Sequence, residues 1–530
     1  MAQVKSSELN EHNGDILGLD NIGVINETCK LAGIERLTPD NVDLNDEKVW
    51  RSIRDDTTLI FQWESSSAQA YLKNFMSDRT IDIAKEHNKD FSYIKWFSFG
   101  NGLIRPGCAS FRDDVANGNI LVTGFKELDE FLAITFGRVT MQEDIMRFCK
   151  QFCGYGDAES DNVRRAIAKK KGTANLLDEL HDRFLDYSNK TYGVDKAKLE
   201  EIFPPIKQGI LDASSYAFSW NHSDSYSAIG YISGYLRYYY PLEFLTAAFN
   251  IFTGKEEKIT AITEYAKKIG VKIRDIQFGH SKAEYNLDKT TKTIYKGMES
   301  IKFMNASVSN KLYELSQTKH YANFAELLKD FPGDSRQLDV LIKLDYFSEF
   351  GTIGELLSIV DIYNAYANRK VLSKDSCALP AETMRQFANE TEKQWRVTDG
   401  EGLLEYLCAN AKPTEFTLSQ RLYTEQEYLG YISYRNPSLK FQGYVLDVNT
   451  KYSPKITVYD LSTGQQKVVK AYKNAFAQDP LVKGMIITYA TTPKEDSRKD
   501  PVTGEWKKCG TYSEWFTFWA IKEYPYKEKK

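Results

Sequence analysis

The densest charge feature of the sequence is DNVRRAIAKKKG, where five of the eight positions from 164 to 171 are basic: Arg164, Arg165, Lys169, Lys170 and Lys171. On a helix, Arg165 and Lys169 are i,i+4 neighbours on one face, and Arg164 lines up with Lys171 two turns on. Such a surface can neutralise phosphates. A solvated helix end, with cations beside its C-terminal dipole, accounts for the same run without any ligand. Arg105 stands in NGLIRPG, where Pro106 and Gly107 make a tight turn. A guanidinium presented there can clamp a phosphate through two parallel bonds, although an ordinary turn arginine is the commoner outcome. His222 follows Asn221 in the polar segment FSWNHSDSYS, and a lone histidine of this kind is usually a satisfied structural group. Asp15, in Asn-Gly-Asp, reads first as a turn residue.

Other chemistries drop out quickly. The sequence has no G-x-x-x-x-G-K-[ST] loop, no H-E-x-x-H helix, no G-x-S-x-G elbow and no dinucleotide fingerprint. Its six histidines (12, 87, 181, 222, 280 and 320) never fall within one helical turn of each other. Seven scattered cysteines contain no Cys-x-x-Cys pair, which argues against a disulfide framework or a structural zinc site. Cys149 and Cys153 are spaced i,i+4, but they lie within an apolar stripe with Met141, Ile145, Phe148 and Phe152, so buried core is the reading.

The elements that must position these residues are legible in part. A chain of 530 residues is long enough for three or four domains, and 42% hydrophobic with 27% charged residues suits packed cores. No apolar run has the length of a membrane helix, and the start MAQVKSSELNEHNGD has no signal-peptide core, so the expected location is the cytoplasm, with no membrane partner. A strand at 15–17, a turn at Gly18 and a helix closed by Gly33 open the chain. Residues 40–270 are mainly helical, with loops expected at FGNGLIRPG (99–107) and KKKG (169–172) and a helix starting at Pro241. KEEKITAITEYAKKIG (255–270) is an amphipathic helix, and the polar region 365–415 reads as a linker or loosely packed insertion. From about 440 the period switches to two. YVLDV, KITVYDL, KVVKAY, MIITYA and WFTFWAI are five strands separated by the turns SPK, STGQQ and KDPVTGE, which suggests an oligonucleotide-binding barrel.

The order of these segments resembles the C-family polymerases, the bacterial replicative DNA polymerase III alpha subunits, over nearly the whole chain. GDILGLDNIGVI resembles the family's strand-turn-helix bearing the last palm aspartate. DDTTLIFQWESS (55–66) resembles its Gly-Ile-Phe-Gln-x-Glu-Ser element, and NGLIRPG its Arg-Pro-Gly loop in the fingers. TFGRVTMQEDIMRFCKQFCGYGDAESDNVRRAIAKKKG (135–172) resembles its most recognisable block, including Gln142, Glu143, Asp161, Arg164, Arg165, Lys169 and Lys170. YAFSWNHSDSYSAIGYISGYLRYYYPLEF (216–244) resembles its Phe-Asn-Lys-Ser-His segment, with Trp220 in place of the lysine. Residues 275–312 resemble the little-finger domain, whose helix-hairpin-helix grips duplex backbone, with Phe303-Met304-Asn305 where the family has a glycine hairpin. Residues 425–439 resemble the approach to its barrel.

The resemblance implies a multidomain α+β fold: the end of the palm (1–35), mainly helical fingers (36–270), a small mixed, helix-hairpin-helix-like little-finger or clamp-binding domain with a linker (271–435), and an antiparallel OB-like β-barrel (436–530). It implies template-directed nucleotidyl transfer from a deoxynucleoside triphosphate to a primer 3'-hydroxyl, with two magnesium ions held by three palm carboxylates. Asp15 would be the third carboxylate and a metal ligand. Arg105, Arg164, Arg165, Lys169, Lys170, Asn221 and His222 would lie on the triphosphate side. The other two family aspartates, the PHP domain, most of the palm and the thumb lie upstream of the Asp15 motif. The expectation is therefore the C-terminal part of a split, for instance phage-encoded, polymerase, inactive without an N-terminal chain; a chain cut by an experimenter is the alternative origin. Its partners would be primer-template DNA, deoxynucleoside triphosphates, the PHP and palm chain, and a sliding clamp or other replisome proteins, although the usual Gln-x-x-Leu/Met-Phe clamp peptide is missing. On the barrel, Trp515, Phe516, Phe518 and Trp519 are candidate stacking surfaces, although alternation faces only some of them outward and a barrel-core role is the commoner outcome for most. The competing class is a non-catalytic DNA-binding replisome factor. The net charge of -4, which by itself argues against a nucleic-acid partner, conceals the local basic run.

Overall fold

A computed structural model describes residues 20–169, 173–216, 218–375, 377, 379–451, 453–499 and 505–527. It divides into two compact units, one formed by the chain up to 272 with 289–293, the other by 273–288 with 294–530. Asp15 and the 15–17 strand lie outside the described residues, as do 170–172.

The first unit is helical, and two apolar cores stand out among its described residues. One is aromatic, built from Trp50, Trp63, Phe75, Trp96, Phe97, Phe99 and Tyr231. The other gathers Phe148, Cys149, Phe152, Cys153, Phe184 and Ile210. Cys149 and Cys153 are buried there as the stripe requires, and burial pushes the Cys149 thiol up to about 12, where it is inert. The helix Asp20–Ala32 ends at Gly33, whose φ of 70° closes it, and Pro241 opens the helix Pro241–Ile251 at its first position. The expected loop at 99–107 is in large part helix: Tyr93–Leu103 is continuous, followed by a single 3-10 turn, Pro106–Cys108. Gly100 and Gly102 serve packing rather than a turn. A Cβ on Gly100 would meet the Phe75 ring at 2.7 Å and the Trp63 ring at 3.1 Å, and one on Gly102 would meet the Met141 methyl at 2.5 Å.

In the second unit, the helices Ala306–Thr318, Phe324–Asp330, Ser335–Lys343 and Ile353–Tyr366 pack over a core of Phe278, Met298, Leu312, Phe324, Leu341 and Phe347. The region expected to be a linker instead carries a three-stranded antiparallel sheet, with Gln394–Val397 between Val371–Ser373 and Ala388–Glu390. With the helix Gly400–Ala409 it encloses Met384, Trp395 and Leu403. So few apolar residues, widely spaced, leave no periodic trace in the sequence. Phe303 adopts the left-handed region at φ 73°, where the resemblance places glycine; its ring lies under the Arg336 guanidinium at 3.7 Å, and its carbonyl accepts from Gln337.

The five predicted strands form a closed barrel: Gln442–Asn449, Lys455–Asp460, Gln466–Lys470, Ile486–Lys499 and Trp506–Glu523. Four pairings are antiparallel; the fifth strand closes on the third in parallel at Glu514↔Val469 and Trp515↔Lys470. Val445, Ile456, Val458, Val469, Ile487 and Phe516 fill the interior. Phe516 is thus core, and Trp519 packs against that core and donates to the Asp479 carbonyl (3.1 Å), so neither is a stacking surface. The register shift between Ala490↔Phe518 and Thr491↔Phe516 leaves Trp515 and Phe518 for that role, with Phe518 54% exposed.

The STGQQ turn is organised by one carboxylate. Asp460 Oδ1 accepts from the amides of Ser462 (3.0 Å) and Thr463 (2.9 Å) and from both hydroxyls, while Oδ2 accepts from Tyr489 (2.8 Å). Burial alone would raise this carboxyl; the bonds from Ser462, Thr463 and Tyr489 more than offset it and hold it at about 2, below the ordinary 3.8. A depressed carboxyl stabilises the fold fully above its unfolded pKa and loses that contribution as pH falls from 3.8 through about 2. Asp460→Asn is expected to remove this acid dependence and to cost about 1–2 kcal/mol at neutral pH. Acid and urea unfolding followed by circular dichroism measure both, and an unchanged acid midpoint would dismiss Asp460 as the titrating group.

Candidate functional site

A short backbone bridge organises the site. Met141 and Phe218 pair in parallel, and the Gln142 amide donates to the Phe218 carbonyl (3.1 Å). From there the helix Gln142–Cys153 starts, with Asp144 accepting from the Met141 amide at 3.0 Å and Gly154 (φ 69°) ending it. Two arginines flank the bridge. The Phe218 ring lies 4.5 Å from the Arg105 guanidinium carbon, and the Gln142 side-chain carbonyl accepts from Arg164 Nη1 at 3.0 Å.

Arg105 is half-buried. Its Nη2 donates to Gln62 Oε1 (2.8 Å), its Nε is buried without a partner, and no carboxylate pairs with it among the described residues. Burial works against its charge and lowers its pKa. A cation held this way, with spare donors and no counter-ion, is poised for an anion. Arg164 and Arg165 lie on the helix Asp157–Lys169 and share Asp161. Its Oδ1 accepts from Arg164 Nε (2.9 Å) and Nη2 (2.8 Å), and its Oδ2 pairs with Arg165 Nε (2.8 Å). The Arg164 hydrogen bond, reinforced by the charges of both arginines, holds Asp161 below the usual carboxylate range. Arg164 is oriented by Gln142 and Asp161 together, whereas Arg165 is 62% exposed. Lys169 is the last residue of the helix, and Lys170 lies outside the described residues.

Asn221 and His222 are exposed on the first turn of the helix Trp220–Tyr239. The His222 ring is 6.4 Å from Phe218 and 6.1 Å from Tyr226, at the same junction as Arg105. Trp220, where the resemblance has lysine, is anchored: its amide donates to Glu143 Oε2 (2.9 Å) and its indole to Asp144 Oδ1 (2.8 Å). The nearby Lys95, 5.8 Å from the Trp220 ring, is paired with Asp224 and does not replace the missing cation.

The structure therefore joins Arg105, Arg164 and His222 around one bridge and adds Gln62, Gln142, Asp161 and Phe218, to which the sequence assigned no role. Asp161 was recoverable, because i,i+3 and i,i+4 spacing puts it beside both arginines. Phe218 carried no signal. Among the described residues no group of three or more His, Cys, Asp or Glu side chains could hold a metal ion. The assembled groups suit binding and charge balance of a polyanion, and they do not fit a two-metal centre.

Comparisons with known proteins come from two directions. Residues 92–191 match the family model of the bacterial DNA polymerase III alpha subunit finger domain. That segment contains Arg105, Arg164, Arg165, Lys169 and Lys170; Asp15, Asn221 and His222 fall outside it. DNA polymerase III subunit alpha of Campylobacter jejuni is 27% identical over 436 residues, covering 79% of this chain and 33% of the relative. The Bacillus subtilis protein of that name is 25% identical over 378 residues, 69% of this chain and 32% of the relative. That of Halalkalibacterium halodurans is 23% identical over an alignment of 530 residues, 96% of this chain and 42% of the relative. The chain spans about a third of the length of the first two of these relatives. No helix among the described residues is long and apolar enough to cross a membrane.

Proposed function

We propose that the chain is a C-terminal part of a C-family replicative DNA polymerase and that it supplies the fingers and barrel for template-directed DNA synthesis, completed by a palm and PHP portion on an N-terminal chain. The observation that carries this reading is the pair of guanidiniums, Arg105 and Arg164, on the Met141–Phe218 bridge, with Arg105 lacking a carboxylate partner among the described residues. Phosphoryl transfer asks a protein chiefly for positioning and charge stabilisation, and these arginines provide both for a deoxynucleoside triphosphate and the departing pyrophosphate. Arg165 extends the basic surface and Asn221 and His222 line it, while Lys169 and Lys170 are assigned to the triphosphate side by the resemblance alone. By the resemblance, magnesium binding is assigned to Asp15 together with carboxylates from the N-terminal chain.

The barrel is proposed to hold single-stranded template. Tyr472, 54% exposed, packs on Trp515 with centroids 4.8 Å apart, and Lys494 donates to the Tyr472 hydroxyl (2.8 Å) while lying 5.7 Å from the Trp515 ring. Aromatic faces with interleaved cations suit stacked bases and a phosphate chain. Primer-template DNA and a clamp or other replisome proteins complete the partners of this reading.

Its test is substrate kinetics in the completed enzyme. Arg164→Ala is expected to raise KM for the deoxynucleoside triphosphate by about 10–100-fold, the value of one or two charge-assisted hydrogen bonds, and to leave primer-template affinity within about threefold. An unchanged KM would remove Arg164 from the triphosphate side.

A further inference from the structure

We propose that Gln62 is a positioning residue for Arg105, kept in a costly backbone conformation to hold that guanidinium ready for phosphate; this rests on the triphosphate reading of Arg105. Gln62 has φ 74°, in the left-handed region, and Leu59, three residues earlier, has φ 60°. Neither is a glycine, and such a residue in each of two consecutive turns, closed by the Ile60 and Trp63 amides on the Thr57 and Ile60 carbonyls, is strained unless the surroundings impose it.

The surroundings do impose it, from a buried cation on another helix. Arg237, with a fully buried side chain, donates from Nη1 to the Thr58 carbonyl (2.6 Å) and from Nη2 to the carbonyls of Ser52 (3.0 Å) and Asp56 (2.6 Å). The Asp56 side chain in turn accepts from the Thr58 amide (2.9 Å) and from Lys268 (2.6 Å). Downstream, the Phe61 ring meets Tyr226 edge-on at 5.0 Å. The pair of turns is therefore fixed on both sides of Leu59, and its last strained residue presents Oε1 to Arg105 Nη2 at 2.8 Å.

The chemistry of the acceptor is informative. A carboxylate at 62 would neutralise Arg105, whereas an amide oxygen accepts one N–H and leaves the positive charge available. A glycine would relieve the strain and forfeit the acceptor. Strain retained at a polar side chain that meets an uncompensated arginine is explained by the aim it gives that arginine.

The experiment titrates the full chain with inorganic tripolyphosphate, following tryptophan fluorescence, alongside thermal unfolding. Arg105→Ala should weaken binding at least tenfold and Gln62→Ala about fivefold. Gln62→Glu should weaken it as much as Arg105→Ala. In an Arg105→Ala background, Gln62→Ala should add nothing further. Gln62→Gly should weaken binding like Gln62→Ala while keeping or raising Tm, a combination a merely structural residue does not produce. Gln62 variants that bind like wild type, beside an Arg105→Ala chain that does not, would overturn the inference and leave the triphosphate reading standing. Losses at Gln62 that persist without Arg105 would overturn it too. If Arg105→Ala binds like wild type, both fall together.

Discussion

Primer extension is expected to be undetectable with this chain and magnesium alone, and to appear when an N-terminal chain bearing a palm and PHP domain is added. The physical reason is the charge that develops on the attacking and leaving oxygens, which two metal ions stabilise and which needs several carboxylates to hold them. Among the described residues no such cluster exists, while the arginines that would balance the triphosphate are in place. Positioning and charge balance without the metals leave the barrier largely intact. In the completed enzyme, Asp15→Ala is expected to lower kcat by about 10³-fold or more while changing primer-template affinity less than about threefold. Gel-based extension of a labelled primer, with single-turnover kinetics, reads both quantities. Extension by the isolated chain would sink the two-chain reading, and full turnover in Asp15→Ala would withdraw the catalytic role from that residue.

The largest stability effect is expected at Arg237. Arg237→Met keeps much of the side-chain volume but removes every donor, so the carbonyls of Asp56 and Thr58 would be buried without partners, while that of Ser52 would keep only the Asp56 amide. Each unsatisfied buried acceptor costs about 1–3 kcal/mol, which puts the total near 4 kcal/mol. A buried ion pair can often be replaced by apolar residues at no loss. Here that outcome is not expected, because the partners are backbone groups that no substitution at 237 removes. Arg237→Lys, which retains one donor group without the planar fork, should lose distinctly less. Urea unfolding monitored by tryptophan fluorescence gives the comparison, and a loss below about 1 kcal/mol for Arg237→Met would show that water or backbone rearrangement satisfies the carbonyls instead.

How far the sequence could be read followed the range of the interactions involved. The barrel strands were recognisable because alternation and turn residues are local, and Asp460-Leu461-Ser462-Thr463-Gly464 encodes its own turn through one carboxylate. The parallel closure of the fifth strand on the third was not recognisable, since pairing partners are a property of the closed sheet. Local reasoning also misplaced FGNGLIRPG. Three glycines and a proline signal a loop, but Gly100 and Gly102 lie within a helix and are glycines because the Phe75 and Trp63 rings and Met141 come too close for any Cβ. Alternation already assigns some of the four barrel aromatics to the core, but that Phe516 and Trp519 both face inward depends on the register shift between them, which only the paired strands reveal.

The sequence by itself determined the motif order, the basic run with Asp161 one helical turn away, the buried cysteine stripe and five strands of period two. Each depends on neighbours within about a turn of helix or a strand, where spacing is geometry. The tertiary structure alone decided that Gln62 would meet Arg105, that Phe218 would cover its guanidinium, and that Arg237 would seat the turn that aims it. Those partners are separated by 43 residues at Gln62–Arg105 and by 179 at Thr58–Arg237. No periodicity reaches that far. What brings them together is burial of the aromatic core, which leaves one guanidinium no option but backbone carbonyls and leaves another with its charge free.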